Sequence, residues 1–376
     1  MKKIPYFIPS IGKEEYQNLK KVFDQKWLAA GKQLKKFEQN FSKKIKVNKQ
    51  NCVGLNSGYA ALHLAILLSD LNKNDEVLTP NINFSAATNI LNTLNVSYKL
   101  VDCESHLNPN ISIKDLKRKI SKKTKLVIIV HMGGYPCNMK EILKLKKEYS
   151  FKLIEDSCHA LFSKYKNKML GTFGNFSTFS FYSNKNISSA EGGLIYCKHN
   201  KHSKIIRSLK NHGLIRDSYS HDKKNKQKRY DVISSGFNYR LDDLRANLLN
   251  TQINKIDKLN TKRHEIFNLY AKYLSENKSV QLIFSNFKSN IYSRHLCIIS
   301  SKKINKIKIK LNQNKINFSN HYKPIHMLKV SNKITQTDLK NSTKYFKHSI
   351  SLPIYPSLSE KNVKFICQKI IETVEN

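Results

Sequence analysis

Between residues 50 and 200 the chain alternates short, nearly continuous apolar runs with stretches whose apolar positions recur every three or four residues. Runs of the first kind read as strands buried on both faces, and the others as helices that cover them. Glu76-Val-Leu-Thr ending at Pro80, Val96 to Val101, Leu126 to His131 and Lys152 to Asp156 are the expected strands. Ala60 to Leu68, Ser85 to Leu94 and Lys140 to Tyr149 are the expected helices between them. This order predicts an α/β domain around a largely parallel sheet. Loops after such strands gather at one sheet edge, where α/β proteins bind ligands.

The pattern changes after residue 200. Lys201 to Tyr230 is polar and charged, and His221 to Arg229 within it is an expected mobile loop. A long helix over roughly Leu241 to Glu276 then leads to a smaller α+β unit. Tyr292 to Ser300 is its expected strand and Glu360 to Glu375 its terminal helix. No internal repeat is visible.

Composition narrows the class. With 376 residues the chain is long enough for two or three domains. No apolar run is long enough to span a membrane, and the basic N-terminus lacks the apolar stretch of a signal peptide, so a soluble cytoplasmic protein is expected. The seven cysteines stand at 52, 103, 137, 158, 197, 297 and 367, with no Cys-x-x-Cys spacing. They read as reduced thiols, and no metal site is expected. The net charge of +40 raises the question of a nucleic-acid or membrane partner. The lysines are dispersed, however, and clusters such as Lys117 to Lys125 and Lys302 to Lys310 keep apolar residues at regular intervals, as solvated faces do. No nucleic-acid or membrane partner is therefore expected, while an anionic small substrate would suit the field.

Among so many lysines, Lys185 is distinguished by its setting. An aromatic-rich strand with Phe173, Phe176, Phe179 and Phe181 delivers it into a Ser/Asn turn, and Glu191-Gly192-Gly193 then enters another apolar strand. A lysine on a tight loop between buried strands is partly desolvated, which lowers its pKa and leaves a nucleophilic amine suited to Schiff-base chemistry. Other strand ends supply the parts of a pyridoxal phosphate site. Asp156 suits a pyridinium nitrogen. Asn56-Ser57-Gly58-Tyr59 opens a helix whose free N–H groups suit a phosphate. Phe84 could lie on the cofactor ring, and Ser180 could offer its hydroxyl to the phosphate. Asn238 and Arg240 bring an amide and a guanidinium suited to phosphate or sugar. Each of these signals is weak alone, since in isolation Asp156 reads more readily as a helix cap and Phe84 as a core aromatic.

Taken in order, these segments resemble the DegT/DnrJ/EryC1/StrS family of sugar aminotransferases, almost end to end. The resemblance rests on Ile4-Pro-Tyr-Phe-Ile-Pro, Trp27-Leu-Ala-Ala-Gly, Asn56 to Ala65, His131 to Met139, Glu155-Asp-Ser-Cys-His-Ala and, most specifically, Gly171 to Gly193. Arg207 to Gly213, Gly236 to Ala246, His321-Tyr-Lys-Pro-Ile-His and Ser351 to Glu360 follow. It implies a fold-type I transferase: a large domain over 1–245 with a seven-stranded, mostly parallel sheet and an N-terminal arm at 1–30. A connecting helix and a small C-terminal α+β domain would fill 246–376. By the same resemblance Lys185 is the catalytic amine. Ser57, Gly58, Tyr59, Phe84, Asp156, His159, Ser180 and Asn238 would join it in holding pyridoxal 5'-phosphate, and Arg240, His321 and Tyr322 would bind substrate.

The implied reaction converts a nucleotide-linked keto sugar to an amino sugar, with glutamate or glutamine as donor, in surface polysaccharide or lipopolysaccharide synthesis. Asn238 would reach the phosphate held by a neighbouring subunit, which implies a homodimer with shared sites. Family members with histidine in place of the lysine are dehydratases, and Lys185 argues against that activity. Tyr59 departs from the family's usual threonine and puts a bulky phenol beside the phosphate turn.

Overall fold

In the computed structural model, residues 3–214, 231–289, 291–331 and 338–375 are described. The expected loop at His221 to Arg229 lies outside them. Seven strands form the main sheet: β1 (Cys52–Leu55), β2 (Glu76–Pro80), β3 (Ser97–Val101), β4 (Thr124–Val130), β5 (Lys152–Asp156), β6 (Phe176–Ser180) and β7 (Gly193–Cys197). Their order is β1-β7-β6-β5-β4-β2-β3. All run parallel except β7, which is inserted antiparallel between β1 and β6. The sheet is thus seven-stranded and mostly parallel, as expected.

Side-chain alternation explains why the central strands read as continuous apolar runs. Leu126 and Ile128 of β4 join a core with helix α1 (Gly58–Leu67) and helix α2 (Ala86–Thr93), whereas Val127 and Ile129 face the core containing Leu116 and Ile142. Both faces of β4 are buried, and its residues from Leu126 to Val130 are all apolar. Burying one such side chain contributes about 1.5–3 kcal/mol. Helix α1 itself is apolar around most of its girth, with Ala60, Ala61, Leu64, Ala65 and Ile66 buried. Its small residues let it lie close on β6 and β7.

The connecting helix runs over Asp243–Leu274, two residues inside each expected end, with the Asp242 side chain accepting from Arg245 N at its start. Beyond it, Gln281–Leu282, Cys297–Ser300 and Ser349–Leu352 form a three-stranded antiparallel sheet, packed with the helix Glu360–Glu375 in one core. Ile4 also joins this core, its N–H bonded to Lys315 O at 3.0 Å.

Two segments differ from the expectations. Regular pairing covers only Cys297–Ser300 of the expected strand, because Arg294 has a φ of 44° that breaks extended geometry. Asn200–Leu209, in the stretch read as polar, is a helix. Ile206 and Leu209 bury one edge of it, and three or four charged neighbours mask that narrow stripe in sequence.

Candidate active site

The C-terminal ends of the parallel strands open into one cavity of about 370 Å³. Each wall has a local cause. After β1 the chain turns at Ser57, which is extended (φ −160°) and caps α1 by accepting from Ala60 N at 3.0 Å. The first-turn N–H groups of Gly58 and Tyr59 then have no acceptor within the helix, as helix starts dictate. This turn packs onto the edge of the sheet only because glycines stand there. A Cβ on Gly193 would lie 2.1 Å from Ser57 O, and one on Gly58 would lie 2.8 Å from Ser180 Cβ.

Buried Glu155 sets the opposite wall. It accepts hydrogen bonds from Gly171 N (2.9 Å), Phe173 N (2.6 Å) and Gly174 N (2.6 Å), and its Oε2 pairs with His131 Nε2 at 3.1 Å. Burial opposes its charge, but His131 and the N–H groups of Gly171 and Gly174 outweigh that, and its pKa lies below the ordinary value. The loop 171–174 is thereby fixed, and with it the entry into β6, which ends at Ser180. Glu155 and Asp156 are adjacent on a strand and face opposite sides. Asp156 turns to the cavity, where its Oδ1 accepts from Cys158 N at 3.1 Å.

Lys185 follows on the loop between β6 and β7 and lines the same cavity. Burial lowers the pKa of its amine below the ordinary lysine value, and nearby Cys158 and Asp156 oppose that shift. His159 and His321 stand beside it, both neutral: burial first, then the charge of Lys185, holds His159 well below its ordinary pKa and His321 at about 3. His159 Nε2 shares a 2.9 Å hydrogen bond with the Tyr322 hydroxyl, and His321 Nδ1 pairs with Ser351 Oγ at 2.9 Å.

Of the residues singled out from sequence, Lys185, Ser57, Gly58, Tyr59, Phe84, Asp156, His159, Ser180, His321 and Tyr322 line this one cavity. Phe84 is 62% exposed at its mouth, with its ring centroid 6.0 Å from that of Tyr322. Tyr59 is also exposed. Asn238 and Arg240 are not among the lining residues: Asn238 is exposed with its carbonyl accepting from Asn56 Nδ2 at 3.3 Å, and Arg240 Nη1 donates to Asn211 Oδ1 at 2.9 Å. Sequence reasoning did not single out Asn83, Cys158, Tyr182, Asn184 and Glu191, which also line the cavity. All five sit within three residues of a singled-out position or inside the Gly171 to Gly193 segment, and that proximity was the available signal.

The model of the DegT/DnrJ/EryC1/StrS aminotransferase family matches residues 9–371. The chain belongs to this family. The aminotransferase is 29% identical to GDP-perosamine synthase of Escherichia coli O157:H7 over 383 residues, 99% of each chain. Among solved structures it resembles Helicobacter pylori PseC, an aminotransferase involved in the biosynthesis of pseudoaminic acid, at 26% identity and a TM-score of 0.92, with both chains fully covered. It also shares its fold with the putative sugar aminotransferase Spr1654 of Streptococcus pneumoniae in its PLP form (23% identity, TM-score 0.88, 100% and 99% covered). Among the described residues no helix of this aminotransferase is long and apolar enough to cross a membrane.

Proposed function

We propose that this protein is a pyridoxal-phosphate-dependent, cytoplasmic aminotransferase that converts a nucleotide-linked keto sugar to an amino sugar, with glutamate or glutamine as donor, in surface polysaccharide synthesis. The observation that carries this reading is Lys185, whose depressed amine stands in the same cavity as Asp156 and the glycine-edged helix start. The residues suit the cofactor. Gly58 and Tyr59 offer backbone N–H groups to a phosphate, Asp156 offers a carboxylate to a pyridinium nitrogen, and buried His159 Nδ1 and Asn184 Oδ1 have no hydrogen-bond partner among the described residues.

When bound, pyridoxal phosphate supplies an electron-withdrawing ring that stabilises negative charge at the donor's α-carbon. Lys185 Nζ is the group that takes the proton from that carbon, and in the reverse half-reaction it returns a proton to the sugar carbon that receives the amine. A neutral amine is required for the first of these steps, and burial lowers the Lys185 pKa in that direction. His159 and His321, both held well below the ordinary imidazole pKa, are the weaker bases beside Lys185. Phe84 and Tyr322 place two aromatic rings on one side of the cavity, with Phe84 at its exposed mouth.

The sugar assignment draws on the relatives named for GDP-perosamine and pseudoaminic acid, and the dispersed positive charge favours an anionic nucleotide sugar over a neutral one. Asn238, exposed outside the cavity of its own chain, is read as serving a second copy in a homodimer. Two experiments test these layers. Protein incubated with pyridoxal phosphate should gain a visible absorbance band that Lys185→Ala lacks, and a colourless product would end the cofactor reading. A screen of nucleotide keto sugars with glutamate or glutamine should give an aminated sugar, whereas turnover of amino acids alone would overturn the substrate.

A further inference from the structure

Asn186, next to Lys185, is buried and ties three parts of the chain together. Its Nδ2 donates to Ser293 O at 2.8 Å and to Asn260 Oδ1 at 3.0 Å, and its Oδ1 lies 3.0 Å from His295 Nδ1. The Ser293 carbonyl can only accept, so the amide nitrogen faces it and the amide oxygen faces the imidazole. An amide oxygen can only accept in turn, so the His295 proton sits on Nδ1. The His295 ring then lies 4.5 Å from that of His159, whose other edge meets Tyr322. One side chain thereby links the Lys185 loop, the long helix through Asn260, and the imidazole pair beside the cavity.

We infer that Asn186 is a positioning residue of this site: its three hydrogen bonds hold the Lys185 loop in place and set the tautomer of His295, which supports His159. The inference rests on reading Lys185 as the reacting amine, but not on any donor or sugar. A loop residue anchored only by its own turn would let the lysine swing toward water. Anchoring to the long helix and to Ser293 removes that freedom, at the cost of burying an amide that must find every partner.

The test uses the full-length protein without cofactor or substrate. In wild type, the ring nitrogens of His295, assigned through His295→Gln in histidine-labelled protein, should show a protonated Nδ1 by NMR. Asn186→Ala should move that proton to Nε2 or mix the two tautomers, while Asn186→Asp, whose carboxylate still accepts from Nδ1–H, should keep it. The second readout is the pH midpoint for labelling Lys185 with an amine-directed ester, followed on its own peptide by mass spectrometry. The ionisable groups facing this amine are Asp156 and Cys158 beyond β5, His159, and His295 and His321 from the C-terminal part. Asn186→Ala should raise the midpoint by about one pH unit, toward an ordinary lysine. Asn260→Ala, which removes one bond of the three, gives a milder variant if Asn186→Ala fails to fold, and should raise it part of the way. Folded variants with the wild-type midpoint and the wild-type His295 tautomer would overturn the inference. A protein that passes both readouts but transfers no amine would instead refute the proposed function and leave the role of Asn186 standing.

Discussion

The Tyr322 hydroxyl lies 2.9 Å from Nε2 of His159, so the C-terminal part of the chain bonds directly to the loop that follows Asp156 at the end of β5. His159 is buried, and its Nδ1 has no partner among the described residues. Tyr322→Phe would strip the ring of its one described hydrogen bond. It should lower stability by about 1 kcal/mol in urea titration, the usual cost of leaving a buried polar atom unsatisfied. An unchanged midpoint would mean that water replaces the hydroxyl.

Gly193→Ala should damage the helix-start turn without touching any functional side chain. The new Cβ would meet Ser57 O at 2.1 Å, Ser57 C at 2.2 Å and Gly58 N at 2.6 Å, all backbone atoms that cannot rotate away. The strain should cost about 3 kcal/mol or more, and binding of pyridoxal phosphate, followed by absorbance, should fall with it. Gly12→Ala, where nothing lies within 4 Å, is the control and should leave binding intact.

His321 makes stability fall in mild acid. Burial and the charge of Lys185 place its folded-state pKa at about 3, against an ordinary value of 6.5. Between these values the unfolded chain binds a proton that the folded chain refuses, so stability rises with pH across the window and is lost as pH falls from 6.5 toward 3. His321→Asn removes the titrating ring and should make that loss shallower in chemical denaturation at stepped pH. An identical slope in wild type and variant would assign the effect to other groups.

Much of the architecture was legible because strands buried on both faces leave an unmistakable apolar run. Leu126 to Val130 is of this kind, Lys152 to Asp156 keeps only Leu153 and Ile154 between charged residues, and the polar residues at the strand ends marked the sheet edge where the cavity opens. The antiparallel insertion of β7 left no such mark, since Gly193 to Cys197 is as apolar as its parallel neighbours. Within the site, Asp156, Ser57 and Lys185 could be found from motif order. Asn186 and His295 could not, because in a chain so rich in asparagine and lysine a buried amide looks like a surface one. Its importance lies in three partners far apart in sequence.

Asn238 and Arg240 raise the last question, because both stand outside the cavity of their own chain. If Asn238 serves a second copy, its loss should damage the partner's site and spare its own. Lys185→Ala and Asn238→Ala chains, each weak alone, can be mixed after unfolding and refolding together. In a twofold dimer, half of the randomly paired molecules are heterodimers. Each of these would hold one site with an intact Lys185 facing an intact Asn238 from the other chain, and one site with both defects. Activity should therefore recover to about a quarter of the wild-type level per chain. If Asn238 acted within its own chain, every site in the mixture would carry one defect, and mixing would yield only the average of the two parents.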